Sequence, residues 1–106
     1  KGSFEMLFEG QVAKCKFTSL EYPCDYEQVN VKITYNEGIM IIIEYPSSDK
    51  ADCRCEIDAS FTIENMPKND LILKIYHGDT QGNYDSASPK YEGLINKTDC
   101  KILIPY

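Results

Sequence analysis

Five cysteines stand among the 106 residues, at positions 15, 24, 53, 55 and 100, and they are the plainest chemistry the sequence offers. Cys53-Arg54-Cys55 puts two thiols on one side of an extended segment, about 7 Å apart at a rise of ~3.3 Å per residue. That is too far for them to bond each other within a regular strand. Each then needs a partner elsewhere, and Cys15, Cys24 and Cys100 are the candidates. The expectation is that Cys53 and Cys55 both enter disulfides, one of them with Cys24. The odd count leaves at least one thiol unpaired if every bond is intramolecular. Each bond would contribute about 2–4 kcal/mol, a large share of the ~5–15 kcal/mol that holds a domain together. Cysteine usage this high also points to an oxidising, extracytoplasmic compartment. The rival use of the same sulfurs is a thiolate site for Zn or Cu(I) built from Cys24, Cys53 and Cys55. Zinc sites usually leave about two to four residues between paired cysteines, and the one histidine, His77, lies far along the chain. No metal and no cofactor is expected.

The remaining reactive side chains carry weaker signals. A Ser–His–Asp or Cys–His site would have to use His77 as its base, but His77 closes a strand just before Gly78, where an exposed histidine is ordinary. No G-x-S-x-G, H-E-x-x-H or phosphate-loop motif is present, so no enzyme is expected. Glu56 and Asp58 could form a carboxylate pair, yet both fall on the wet face of a strand. Asp79 and Asp85 offer oxygen ligands for Ca²⁺, in a pattern unlike an EF-hand loop. Asn96-Lys97-Thr98 is an N-glycosylation sequon. Asp85-Ser86-Ala87 resembles the short Asp-Ser/Thr-apolar acceptor for O-glycosylation on exported proteins of Bacteroidales-type bacteria, which marks Ser86. Tyr76, Tyr84, Tyr91 and Tyr106 gather in the last third, and the first three are a candidate surface for a protein or carbohydrate partner.

The elements that must position these groups are strands. Phe4, Met6 and Phe8 alternate with Glu5 and Leu7, and Ala13, Cys15 and Phe17 with Val12, Lys14 and Lys16. Val29–Tyr35 repeats the pattern, Tyr35-Asn36-Glu37-Gly38 is a turn, and Ile39–Tyr45 reads as a strand covered on both faces. The clearest run is Cys53, Cys55, Ile57, Ala59, Phe61 and Ile63 against Arg54, Glu56, Asp58, Ser60, Thr62 and Glu64. A helix would scatter those apolar residues, whereas a strand aligns them. A corner at 65–70, a return strand Leu71–Tyr76, a long polar loop 78–90, a short strand Tyr91–Ile95 and a last strand Lys101–Pro105 complete the chain. Eight Tyr, four Phe and scarce Ala favour strands over helices.

Residues 1–106 are therefore expected to form a single all-β domain, a two-layer antiparallel β-sandwich of seven to eight strands. The stretch Phe61–Ile75, a strand, a Pro-containing corner and an amphipathic return strand, resembles the inter-sheet corner of immunoglobulin and fibronectin domains. The hydrophobic share of 42% is enough to support one core. A net charge of -6 without a basic cluster argues against nucleic acid and anionic lipid as partners. No run reaches the ~18 apolar residues of a transmembrane helix. No signal peptide is visible, which is expected of a mature or trimmed chain.

Cys53-Arg54-Cys55-Glu56-Ile57-Asp58, continuing through Phe61–Met66 to Leu71–Ile75, resembles a family of small secreted lipoproteins of Bacteroidales-type bacteria. Those proteins carry a C-x-C step, an alternating strand, a short corner and a return strand. An upstream cysteine precedes a hairpin in them, as Cys24 precedes Val29–Ile43 here. The likeness covers residues 24–76, with a single upstream cysteine and Ala51 as departures. It implies an envelope protein whose lipid anchor would lie upstream of residue 1. The functional expectation is a non-enzymatic exported or cell-envelope domain, monomeric, serving as a binding or structural module. Its rivals are a secreted protease inhibitor presenting loop 78–90 and a thiolate metal-binding domain.

Overall fold

The computed structural model describes residues 2–96 and 98–106. Eight strands run along these residues: β1 (Ser3–Glu9), β2 (Val12–Pro23), β3 (Val29–Asn36), β4 (Ile39–Pro46), β5 (Arg54–Ile63), β6 (Leu71–His77), β7 (Tyr91–Ile95) and β8 (Lys101–Pro105). They form two four-stranded sheets, ordered β5-β2-β1-β8 and β3-β4-β6-β7, in the two-layer sandwich that the alternation required. Among the described residues no helix is long and apolar enough to cross a membrane.

One core lies between the layers. Phe4 and Met6 of β1, Ala13, Cys15 and Phe17 of β2, Met40 and Ile42 of β4, and Leu71, Leu73 and Ile75 of β6 are all buried in it. Each large apolar side chain fully withdrawn from water contributes about 1.5–3 kcal/mol. Phe17 packs on Phe4 at 4.8 Å and on Phe61 at 6.0 Å between ring centroids. The β5 strand keeps its alternation throughout: Cys55, Ile57, Ala59, Phe61 and Ile63 turn inward and the residues between them stay exposed. Cys53 departs from the expectation, because it precedes β5 and is exposed. The β3–β4 turn places two consecutive residues at positive φ, Glu37 at 53° and Gly38 at 83°, as a tight hairpin matched to strand twist requires.

The corner at 65–70 does carry the chain from one sheet to the other. It has a topological consequence that alternation cannot show. β4 leaves the second sheet, the chain passes through β5 in the first, and β6 re-enters beside β4 and parallel to it. Every other strand pair is antiparallel. A parallel neighbour needs a long crossover, and here β5 itself supplies it. This pair distinguishes the fold from the fully antiparallel sheets of immunoglobulin domains.

The second departure is in β2, which runs to Pro23 instead of ending at Phe17. Between Phe17, paired with Ala59, and Leu20, paired with Ile57, the register shifts. Thr18 and Ser19 thus oppose the single residue Asp58. That is a β-bulge, and it resets which residues face inward. Before it the inward residues are odd-numbered, Ala13, Cys15 and Phe17; after it they are even-numbered, Leu20 and Tyr22. Ser19 pays for the shift with φ of 59°. Its N–H donates to Asp58 Oδ1 at 3.0 Å, so one of the two wet-face carboxylates, Glu56 and Asp58, is a backbone clamp. Replacing Asp58 by Ala should therefore lower stability by about 1–2 kcal/mol, while Glu56→Ala should stay within ~0.5 kcal/mol. Urea denaturation of the two variants checks the difference.

Candidate functional site

Among the described residues Glu44 is the one charged residue in the interior, 1% exposed. It sits on β4 in phase with Met40 and Ile42. A carboxylate in such a place costs several kcal/mol unless donors surround it. Three do. The Tyr22 hydroxyl donates to Oε1 at 2.5 Å, the Tyr106 hydroxyl donates to Oε2 at 2.7 Å, and His77 Nδ1 lies 2.8 Å from Oε2. A charged carboxylate can only accept, so Nδ1 is a protonated nitrogen of that ring whenever Glu44 is ionised.

Each donor arrives by a different route. Tyr22 faces inward because of the bulge. His77 is the last residue of β6 and pairs with Glu44 in the parallel register. Tyr106 follows β8 and is fixed by its own N–H, which donates to Gly2 O at 2.9 Å. Its ring meets Phe17 edge-on at 5.0 Å. The Tyr22 ring is likewise edge-on to His77 at 6.0 Å. Burial, reinforced by the Glu44 charge, pushes both phenols well above the ordinary tyrosine range.

The cluster opens to solvent on one side, where the His77 side chain is 41% exposed. A cleft of about 500 Å³ begins there, and Arg54, Glu56, Lys90 and Tyr106 line it with His77 and Glu44. A smaller one of about 260 Å³ shares Arg54 and His77 and reaches Asp49 and Asp79. Charges of both signs and an imidazole edge suit a polar ligand. The chain matches no family model, no curated protein and no solved structure. Its function must be argued from this geometry.

The cysteines are divided by position. Cys24 and Cys53 are joined, with Cα atoms 5.5 Å apart. Cys15, Cys55 and Cys100 are free thiols. The expectation of a bond to each member of the C-x-C step is thus met at Cys53 and not at Cys55, whose sulfur lies 3.1 Å from Cys24 Sγ. One sulfur cannot form two disulfides. Cys15 lies in the core between Met6 and Phe61 on the neighbouring strands, and burial pushes its thiol up to about 12. Cys100 is exposed just before β8. Among the described residues no group of three or more His, Cys, Asp or Glu is placed to hold a metal ion.

The tyrosines do not share a surface. Tyr76 is buried, and its hydroxyl donates to Ser86 O at 2.9 Å. Tyr84 packs on it with rings tilted by 38° and centroids 4.4 Å apart, and is 38% exposed. Tyr91 pairs with Ile75 and so faces the opposite side, toward the core. Tyr106 belongs to the Glu44 cluster. Loop 78–90 is folded into two turns around its carboxylates. Asp79 Oδ1 accepts the N–H groups of Gln81 and Asn83; Asp85 accepts from Ala87 N–H and Ser88 Oγ. Those bonds hold the Asp79 carboxyl below the usual carboxylate range, the Asn83 and Gln81 amides being the main cause. Ser86 is exposed, as are Asn96 and Thr98 of the sequon, whose Lys97 lies outside the described residues.

Sequence reasoning did not find Glu44, Tyr22 or the partner of His77. The available signal was an acid inside a strand otherwise covered on both faces, which demands donors from elsewhere.

Three outcomes follow from the cluster. Glu44→Ala should lose about 3–5 kcal/mol and Tyr106→Phe about 1.5–3 kcal/mol in urea unfolding. Stability should decline as pH rises above about 10. There the unfolded chain releases its phenolic protons while native Tyr22 and Tyr106 keep theirs, so ν_N exceeds ν_U and the slope is negative. Alkylation of the native protein should modify Cys100 readily and Cys15 only after unfolding, as mass mapping would show.

Proposed function

We propose that this protein is an exported, non-enzymatic binding module that takes a polar segment of a protein or carbohydrate partner in the cleft around His77. The observation that carries this reading is the saturation of Glu44. A histidine oriented by a carboxylate is the arrangement of a general base. Here the same carboxylate also receives two phenols and joins both sheets, which is the work of a fastener. The groups left facing solvent, Arg54, Glu56, Lys90 and the imidazole edge, are suited to hydrogen-bond a ligand, and their mixed signs favour a polar one.

Export is supported by the Cys24–Cys53 bond, since disulfides persist in oxidising compartments. The likeness of residues 24–76 to small secreted lipoproteins favours the cell envelope as the address. The inhibitor reading gains less. Loop 78–90 is folded on its own aspartates and tied to Tyr76, whereas an inhibitory loop offers an extended segment to a protease cleft.

Titration of isotope-labelled protein with panels of oligosaccharides and peptides tests the proposal. Shift changes should centre on Arg54, His77, Lys90 and Tyr106. His77→Ala combined with Lys90→Ala should weaken binding by about tenfold or more, ~1.4 kcal/mol. Shift changes confined to the opposite end of the sandwich, or turnover of a panel member, would reject it.

A further inference from the structure

Three sulfurs meet where β2 ends and β5 begins. Cys24 is bonded to Cys53, and the Cys55 thiol lies 3.1 Å from Cys24 Sγ. The backbone beneath them is fixed: Cys24 N–H donates to Cys53 O at 3.0 Å, and the ladder pairs Tyr22 with Cys55 and Pro23 with Arg54. Cys24 thus faces Cys53 across the ladder with Cys55 two residues further on, and its sulfur is within reach of both.

The geometry points to a thiol–disulfide exchange site in which Cys24 alternates between Cys53 and Cys55 and the released Cys53 thiol reacts with external disulfides. The Cys55 thiol first gives its proton to solvent. The resulting thiolate attacks Cys24 Sγ; the Cys24–Cys55 bond forms as the Cys24–Cys53 bond breaks, and the bonding pair leaves on Cys53 Sγ, which takes a proton from water. The step is an isomerisation and needs no oxidant. Its two ends differ in access. Cys55 is half-buried on the inner face of β5, whereas Cys53 is exposed outside the strand. Exchange therefore moves the reactive sulfur from the sheet to the surface. There a Cys53 thiolate can attack a small aliphatic disulfide, forming a mixed disulfide and expelling one thiolate.

The sequence supplies its own assay. Arg54 lies between the two cysteines, so trypsin separates them into peptides 51–54 and 55–68, with Cys24 in peptide 17–32. The intact protein is incubated with glutathione disulfide at mildly alkaline pH, acid-quenched, blocked with N-ethylmaleimide and mapped without reduction. Expected are a glutathione adduct on peptide 51–54 and a 17–32/55–68 linked pair, both lost in Cys55→Ser. The control also removes indirect attack by glutathione released at Cys100, because that route does not need Cys55. In Cys53→Ser, air oxidation should yield the 17–32/55–68 pair. Adducts only on Cys55 or Cys100 with Cys24–Cys53 intact, an adduct on 51–54 that persists in Cys55→Ser, or two free thiols in oxidised Cys53→Ser would overturn the assignment.

Discussion

A carboxylate cannot sit between two packed sheets unless donors from its surroundings replace the water it lost. Glu44 meets that condition with one hydroxyl from β2, one from the residue after β8, and the imidazole at the end of β6. The first two belong to one sheet and the third to the other. The apolar core brings the sheets together without direction, whereas the Glu44 hydrogen bonds fix how they meet at this end. Other features are arranged to serve it. The bulge at Thr18–Ser19 exists at a backbone cost and has one clear return, which is Tyr22 turned inward. The parallel register of β4 and β6 sets His77 beside Glu44. The hydrogen bond from Tyr106 N–H to Gly2 O pins Tyr106 where its hydroxyl is needed.

A second fastener, covalent this time, sits two residues beyond Tyr22, just past the end of β2. The Cys24–Cys53 bond spans a separation of 29 residues, which in the chain-entropy account corresponds to about 3–4 kcal/mol. It closes the segment that contains the whole β3–β4 hairpin. The loop beside it is held by Asp25, which accepts from Ser48 Oγ and from the N–H groups of Lys50 and Ala51. The Ser48 hydroxyl is the main reason the Asp25 carboxyl stays below its usual range. Hydrogen-bonded and covalent ties therefore concentrate at the end that also carries the cleft. Arg54 belongs to both regions, lying between two of the three sulfurs and lining both clefts. A change of disulfide partner would act on a residue that faces the ligand space.

Much of the fold was legible from residue pattern. The turn at Gly38, the corner at 65–70 and the start of nearly every strand fall where the residue pattern placed them. Alternation failed at Phe17 for a definite reason: a bulge inserts one residue, and a period of two read across it changes phase. Leu20 and Tyr22 then look like the wrong face of a strand that has already ended. The candidate site was less legible. His77 was visible, but its partner Glu44 lay in a strand read only as covered on both faces, and the tyrosines were grouped by nearness in sequence. Tyr76 and Tyr91, close along the chain, face opposite sides of one sheet because they pair a single position out of step.

What the sequence determined by itself is what depends on neighbours one and two residues apart: strand or turn, inner or outer face, and the presence of enough sulfur for cross-links. What only the tertiary structure decided depends on which strands meet. A disulfide needs two Cα atoms about 5.5 Å apart, and a buried acid needs hydroxyls and an imidazole within hydrogen-bond distance. Cys24 and Cys53, like Glu44 and Tyr106, are brought together by chain crossings between two sheets. Local periodicity carries no record of those crossings, so the choice of Cys53 over Cys55 and the assembly around Glu44 belong to the folded molecule alone.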